Sequence, residues 1–163
     1  MKHEIQDYTD SDLLAKSLSL HTTPEQKREA LDERRRRKRV IIVDIDATLV
    51  GSKDSPIENV CNIVRALKDE ETEVVMITAR SNSVRKKTME WLKIHDVPCD
   101  GLLMRPDGSS VTDAYIKRKV FNDEFLKLYD FSQVWFVLED RNECVDMWRG
   151  EGLTCLQVAP GDY

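Results

Sequence analysis

The stretch RRRRKRVIIVDIDATLVGS, Arg34 to Ser52, joins a basic run to a short apolar run and then to two aspartates one residue apart. Val40-Ile41-Ile42-Val43 has the continuous β-branched apolarity of a strand buried on both faces. It delivers the chain directly to Asp44 and Asp46. Carboxylates at the end of a buried strand are costly without partners, so the rest of the chain must supply them.

The texture of that strand recurs downstream. With VIIVDI (40–45), the segments EVVMIT (73–78), GLLM (101–104), VWFVL (134–138) and TCLQV (154–158) read as strands. Ser55-Pro56-Ile57-Glu58 reads as a capping box opening a helix that buries Ile57, Val60, Ile63, Val64 and Leu67. Further helices are predicted over Ser83–His95, Thr112–Tyr129 and Asn142–Gly150. This alternation predicts an α/β fold: a parallel Rossmann-like sheet of five main strands with helices on both faces. Residues 1–39 differ, with few aliphatic residues and a helix start at Thr23-Pro24-Glu25-Gln26. They read as a polar and basic helical extension ahead of a main domain at 40–163.

Bulk composition narrows the function classes. The chain has 163 residues, 34% of them charged, and a net charge of −5. No global positive field would gather nucleic acid or anionic lipid, so any such contact must be local. Apolar runs are too short to span a bilayer, and the acidic start MKHEIQDYTDSD has no signal-peptide core. Cys61, Cys99, Cys144 and Cys155 form no CxxC pair, which favours reduced thiols and a cytoplasmic location. The three histidines have no zinc spacing.

Ligands of parallel sheets bind beyond the carboxyl ends of the strands. The residues there are Asp44 and Asp46, Thr78 and Arg80, Arg105, and Glu139 and Asp140. Clustered carboxylates raise one another's pKa unless a cation joins them, and an all-oxygen set suits Mg²⁺. A hydroxyl (Thr78), a guanidinium (Arg80) and an ammonium (Lys117) facing such a cluster would hold the oxygens of a tetrahedral anion. That is the layout of phosphoryl transfer, in which an aspartate can be the attacking group.

DIDATLV resembles the DxDx[TV] signature of the haloacid dehalogenase (HAD) superfamily of phosphatases, with ITAR (77–80) as its second motif and LEDR (138–141) as its fourth. VTDAYIKRKVF (111–121) and the tail LEDRNECVDMWRGEGLTCLQVAPGDY (138–163) resemble the 3′-phosphatase domain of bacteriophage polynucleotide kinase/phosphatase. The similarity covers Arg39 to Tyr163. It implies Asp44 as the nucleophile that takes the phosphoryl group. It implies Asp46 as the acid that protonates the leaving alcohol and then the base that activates water, its backbone carbonyl also on Mg²⁺. Thr48 would hold the loop and Asp46, Thr78 would bind a phosphoryl oxygen, and Arg80 would lie near the substrate. Lys117, preferred to Lys119 for its place in the lysine-x-x-aliphatic-aromatic pattern, would neutralise nucleophile and phosphoryl oxygens. Asp140 would bind the metal with Glu139 beside it. The substrate implied is a nucleic-acid end, DNA or RNA, in the host cytoplasm if the chain is of phage origin.

The chain departs from that pattern in places. Ala47 stands where glycine is commonest, which the backbone tolerates only if it avoids positive φ there. Glu139 replaces the usual aspartate. GSKDS is not a GxxxxGK[ST] loop, so kinase activity is not expected. Arg34 to Arg39 reads as a solvated helix end with Glu29, Asp32 and Glu33 as partners, or as a polynucleotide contact. Trp91, Trp135 and Trp148 read as core, as do Cys144 and Cys155. Arg105 either lines the site, as a substrate-binding group with Thr48, Thr78 and Arg80, or merely ends a strand.

Two further readings compete with a polynucleotide phosphatase. One is a small-molecule nucleotidase of the same superfamily. The other is a receiver-like phospho-switch, which needs an acid at the end of the third strand, where this chain has LLMRP. No segment after the first motif, or between the second and third, has room for a separate cap, which favours a large substrate.

Overall fold

The computed structural model describes residues 22–161 together with Leu13 and Ala15; of Arg34 and Arg35 it describes the backbone alone. The readings of the acidic start and of the last two residues lie outside that range. The chain divides into two compact units, Met1–Lys38 and Arg39–Tyr163.

In the first unit, α1 spans Pro24–Arg37. Its start is the expected capping box: Gln26 N–H donates to Thr23 Oγ1 (3.2 Å), and Thr23 N–H donates to Gln26 Oε1 (3.0 Å). The basic run is not one feature. Arg36 and Arg37 pair with Glu33 on α1, whereas Arg39 opens the sheet, donating to Asp69 and Thr72 and stacking over the Trp135 ring at 4.6 Å.

The second unit is a five-stranded parallel sheet. In chain order it runs β1 (Arg39–Val43), α2 (Glu58–Leu67), β2 (Thr72–Ser81), α3 (Arg85–Ile94), β3 (Gly101–Arg105), α4 (Asp113–Asp123), β4 (Val134–Glu139), α5 (Asn142–Gly150) and β5 (Cys155–Gln157). The strand order is β3-β2-β1-β4-β5. Strand alternation splits the core in two. Ile41, Val43, Val74 and Met76 pack with α2 and α3 on one face; Val40, Ile42, Val75 and Ile77 pack with α4 and α5 on the other. The strand order reverses between β1 and β4, so the ends of those two strands flank the crevice where parallel sheets bind ligands.

Four local expectations are corrected. The Ser55 capping box does not form: α2 starts at Glu58 after Ile57, with no side-chain cap. Ile63 is about half exposed and Cys61 is buried in its place. The helix predicted to Tyr129 stops at Asp123, and Phe125 and Tyr129 reach the core through a 3₁₀ turn. Trp135 is 44% exposed, because the β1–β4 register slips between Val40 and Ile41 and leaves it out of the ladder. Trp91 and Trp148 are core, as expected. All four cysteines are unpaired, and burial pushes the Cys144 and Cys155 thiols up to about 12. Among the described residues no helix is long and apolar enough to cross a membrane.

Candidate active site

Asp44 is the first residue beyond β1, yet its N–H still donates to Leu138 O of β4 (3.0 Å). The nucleophile candidate is thereby locked beside the end of β4, where Glu139 and Asp140 lie. Asp44, Glu139 and Asp140 are all buried, and each offers a carboxylate oxygen within 4.8 Å of the others. A cavity of about 30 Å³ opens among Asp44, Asp46, Ala79, Asp113, Lys117, Glu139, Asp140 and Arg141. That is room for one water-sized or ion-sized occupant.

Lys117 supplies the buried positive charge. It projects from α4 with its Nζ 2.7 Å from Asp44 Oδ1 and 2.7 Å from Glu139 Oε2. Burial alone would lower its pKa, but the charges of Asp44 and Glu139 outweigh that and hold it above the ordinary lysine value. Lys119 is exposed and pairs with Asp123. Burial raises Asp44 to about 7, against the pull of Lys117 and with the charges of Glu139 and Asp140 adding to it. Three buried carboxylates thus face one buried ammonium. A divalent cation would close that charge gap, and the donor set is oxygen only, as a hard cation requires.

The carboxylates are not equivalent. Glu139 Oε2 accepts from Lys117 Nζ and Trp148 Nε1 (3.4 Å), and Oε1 accepts from the N–H groups of Asp140 and Arg141 (3.3 and 3.4 Å). Donors on both oxygens make Glu139 the holder of Lys117. Asp140 Oδ1 accepts from the buried Thr48 hydroxyl (2.9 Å), so Thr48 fixes Asp140 and not Asp46, as the sequence had suggested. The backbone of Gly161 lies against the Asp140–Arg141 peptide so closely that a Cβ there would overlap it.

Asp46 stands apart, 60% exposed, at the mouth of the cavity. Arg80 holds its carboxylate through Nη2 to Oδ1 (2.6 Å) and Nε to Oδ2 (2.9 Å), and leans on the Thr88 hydroxyl (3.3 Å). The loop that carries Asp46 turns tightly: Leu49 and Val50 N–H both donate to Ile45 O (2.9 Å), and Ala47 N–H to Val50 O (2.8 Å). That turn sets Ala47 at φ 60°, the left-handed conformation that the sequence reading required it to avoid.

The remaining residues fall around this centre. Thr78 is buried at the rim of β2, and its hydroxyl accepts from Arg80 N–H (3.2 Å); its neighbour Ala79, not Thr78, lines the cavity. Arg105 does not line it either. Its guanidinium donates to Ala79 O (2.8 Å), Val111 O (2.6 Å) and Asp113 Oδ1 (2.6 Å), tying the loop before α4 to β2. Asp113 also pairs with Arg141 (3.2 Å). Asp113 and Arg141 line the cavity and were missed from sequence. Arg141 follows Asp140 within LEDR and Asp113 lies one helical turn before Lys117, which are the positional cues they offered.

Residues 38–163 match the family model of the polynucleotide kinase PNKP phosphatase domain. The chain belongs to this family. The phosphatase domain has the HAD-type Rossmann-like fold, and two solved structures share it. One is titled "Structure of the Pnkp1/Rnl/Hen1 RNA repair complex": TM-score 0.71, 31% identity, covering 77% of this chain and 44% of that chain. The other is titled "Structure of Pnkp1/Rnl/Hen1 complex": TM-score 0.70, 32% identity, covering 77% and 47%. The chain therefore spans less than half the length of these two solved chains.

Proposed function

We propose that this chain is a Mg²⁺-dependent phosphomonoesterase that removes 3′-phosphates from polynucleotide ends, as a step of nucleic-acid end repair, through an aspartyl-phosphate at Asp44. The observation that carries the reading is the buried Asp44–Lys117 pair beside Asp140, with a second, exposed aspartate held at the mouth by Arg80.

In the first step an Asp44 oxygen attacks phosphorus, while Asp46 gives its proton to the departing 3′-oxygen. Asp46, now a carboxylate, takes a proton from water as that water attacks phosphorus, which frees phosphate and restores Asp44. Lys117 favours the ionised form of Asp44 against the effect of burial and neutralises phosphoryl oxygens. Arg80 keeps Asp46 aimed at the mouth. Asp44, Asp140 and the Asp46 carbonyl would hold Mg²⁺, which supplies charge neutralisation to the transferred group.

Access to the site supports the substrate class. Between Thr48 and β2 there is only α2 with a short turn, and between β2 and Lys117 only α3, β3 and connecting turns. Among the described residues nothing forms a cap over the mouth. Binding energy must then come from surface around it, which an extended polymer can use and a sugar phosphate cannot. The similarity to a chain of a solved complex titled as an RNA repair complex supports a nucleic-acid substrate.

The test is phosphate release from 3′-phosphate oligonucleotides, 5′-phosphate oligonucleotides, mononucleotides and sugar phosphates, each with and without Mg²⁺. The expected result is the highest specificity constant on the 3′-phosphate oligonucleotide, dependent on Mg²⁺. Preference for a mononucleotide would replace this reading with a nucleotidase.

A further inference from the structure

Beyond the nucleophile loop the chain forms a small hairpin. Gly51 N–H donates to Ser55 O (2.7 Å) and Ile57 N–H to Leu49 O (2.8 Å), which leaves Lys53 and Asp54 at the tip. Both tip residues are left-handed, with φ of 57° and 58°. For residues other than glycine that conformation costs on the order of 1–2 kcal/mol each, and it persists only where the surroundings enforce it.

The tip is pinned on α3. Trp91 Nε1 donates to Asp54 O (2.8 Å), and Lys87 Nζ lies 3.3 Å from Asp54 Oδ2. No residue of the tip is itself buried, although Asp54 O satisfies the indole N–H of the core residue Trp91. The pinned tip sets Asp54 against Lys87, and Lys53, next to Asp54 in the chain, is exposed, as are Lys87 (75%) and its helix neighbour Lys86 (91%).

The tip and α3 reach toward the mouth: the charge of Asp54 is felt at Arg80. The same helix carries Thr88, which supports Arg80, and Arg80 holds Asp46. Lys53 has no ion-pair partner among the described residues. Lys86 reaches Glu90 only at 4.0 Å, and Lys87 pairs with an exposed Asp54. Such exposed pairs contribute little, and phosphate groups compete with them readily. On a chain of net charge −5 this is a local attraction for an anionic polymer next to the site.

We propose that Lys53, Lys86 and Lys87 form the docking surface for the sugar-phosphate backbone of the strand whose phosphorylated end enters the cavity. The proposal rests on the polynucleotide-phosphatase reading above and names the surface that holds the strand. The contacts are to backbone phosphates, so they position the strand without selecting its sequence.

The experiment compares the wild type with Lys53→Gln/Lys86→Gln/Lys87→Gln on a 3′-phosphate decanucleotide and on 4-nitrophenyl phosphate, with Mg²⁺, from 50 to 200 mM salt. Three lost phosphate contacts flatten the slope of log(kcat/KM) against log[salt] by about 2, at ~0.7 per contact for a single strand. Over that fourfold salt range the wild type then loses roughly twentyfold more oligonucleotide activity than the variant. Activity on the small ester stays unchanged. Equal salt slopes overturn the surface while leaving the substrate class standing, and a parallel loss on the small ester overturns it as a strand contact. A wild type that does not prefer the oligonucleotide refutes the substrate reading itself, and the surface with it.

Discussion

Glu139 and Asp140 are adjacent and buried, each with a carboxylate oxygen within 4.8 Å of one on Asp44, yet their surroundings assign them different work, which Glu139→Gln and Asp140→Asn separate. Among the described residues, Glu139 is one of two carboxylates on Lys117 Nζ, at 2.7 Å, and is 1% exposed. Glutamine keeps its volume and an acceptor oxygen but removes the charge, leaving Lys117 to Asp44 alone. Breaking a buried ion pair from one side costs about 3–5 kcal/mol, and the retained acceptor reduces that to roughly 2–4 kcal/mol. For a unit of this size that is a fall in melting temperature on the order of 10 °C. Turnover falls too, because Lys117 loses one of its two anchors. The Mg²⁺ concentration for half-maximal activity should change little. Asp140→Asn should do the reverse. Thr48 can still donate to the amide oxygen, so stability holds, but a charged oxygen ligand is gone and the Mg²⁺ requirement rises sharply. Melting curves with EDTA and with Mg²⁺ give a readout independent of activity. Saturation at a hundred times Kd stabilises the wild type by about 2.7 kcal/mol, and Asp140→Asn should forfeit most of that gain at the same concentration. If Glu139→Gln shifts the Mg²⁺ requirement as much as Asp140→Asn does, the division of labour is wrong.

Asp44→Asn and Asp46→Asn should each lower turnover at least about a hundredfold. Acid-quenched labelling should find no phosphoenzyme in Asp44→Asn, whereas Asp46→Asn can trap one by losing the base for hydrolysis. Arg80→Gln frees the Asp46 carboxylate, so it should lower kcat on small ester and oligonucleotide alike; a pure KM effect on the oligonucleotide would return Arg80 to the role of a phosphate clamp. Ala47→Gly relieves a left-handed alanine but adds freedom to the unfolded chain, for a net gain of about 0.5–1 kcal/mol by denaturant titration. Changing the arginines of 34–39 to Gln should leave small-ester activity intact; a flatter salt dependence of oligonucleotide binding would make the run a strand contact, and equal slopes a solvated helix end.

The strands, their order along the chain and the acids at their ends were legible because burial on both faces demands continuous apolar runs, and a strand's end is where such a run meets charge. Lys117 is preferred to Lys119 through the family resemblance alone; the structure supplies the physical reason, since Ile116, Val120 and Phe121 fix the buried arc of α4 and Lys117 falls within it while Lys119 does not. What sequence could not show is which partner each polar group finds. Thr48 meets Asp140 across 92 residues, and Arg80 meets Asp46 across 34, because β1 lies between β2 and β4 in the sheet. Strand order is set by crossovers, and nothing local in the sequence states it. The same holds for Ala47 and Trp135: a turn forced by pairing to Ile45 and Val50 sets one, and a one-residue register slip exposes the other. Composition and periodicity determine most of the buried residues, though not Ile63 or Trp135, and where each strand ends. The pairing of those ends, and so the chemistry at the crevice, is decided only when the sheet closes.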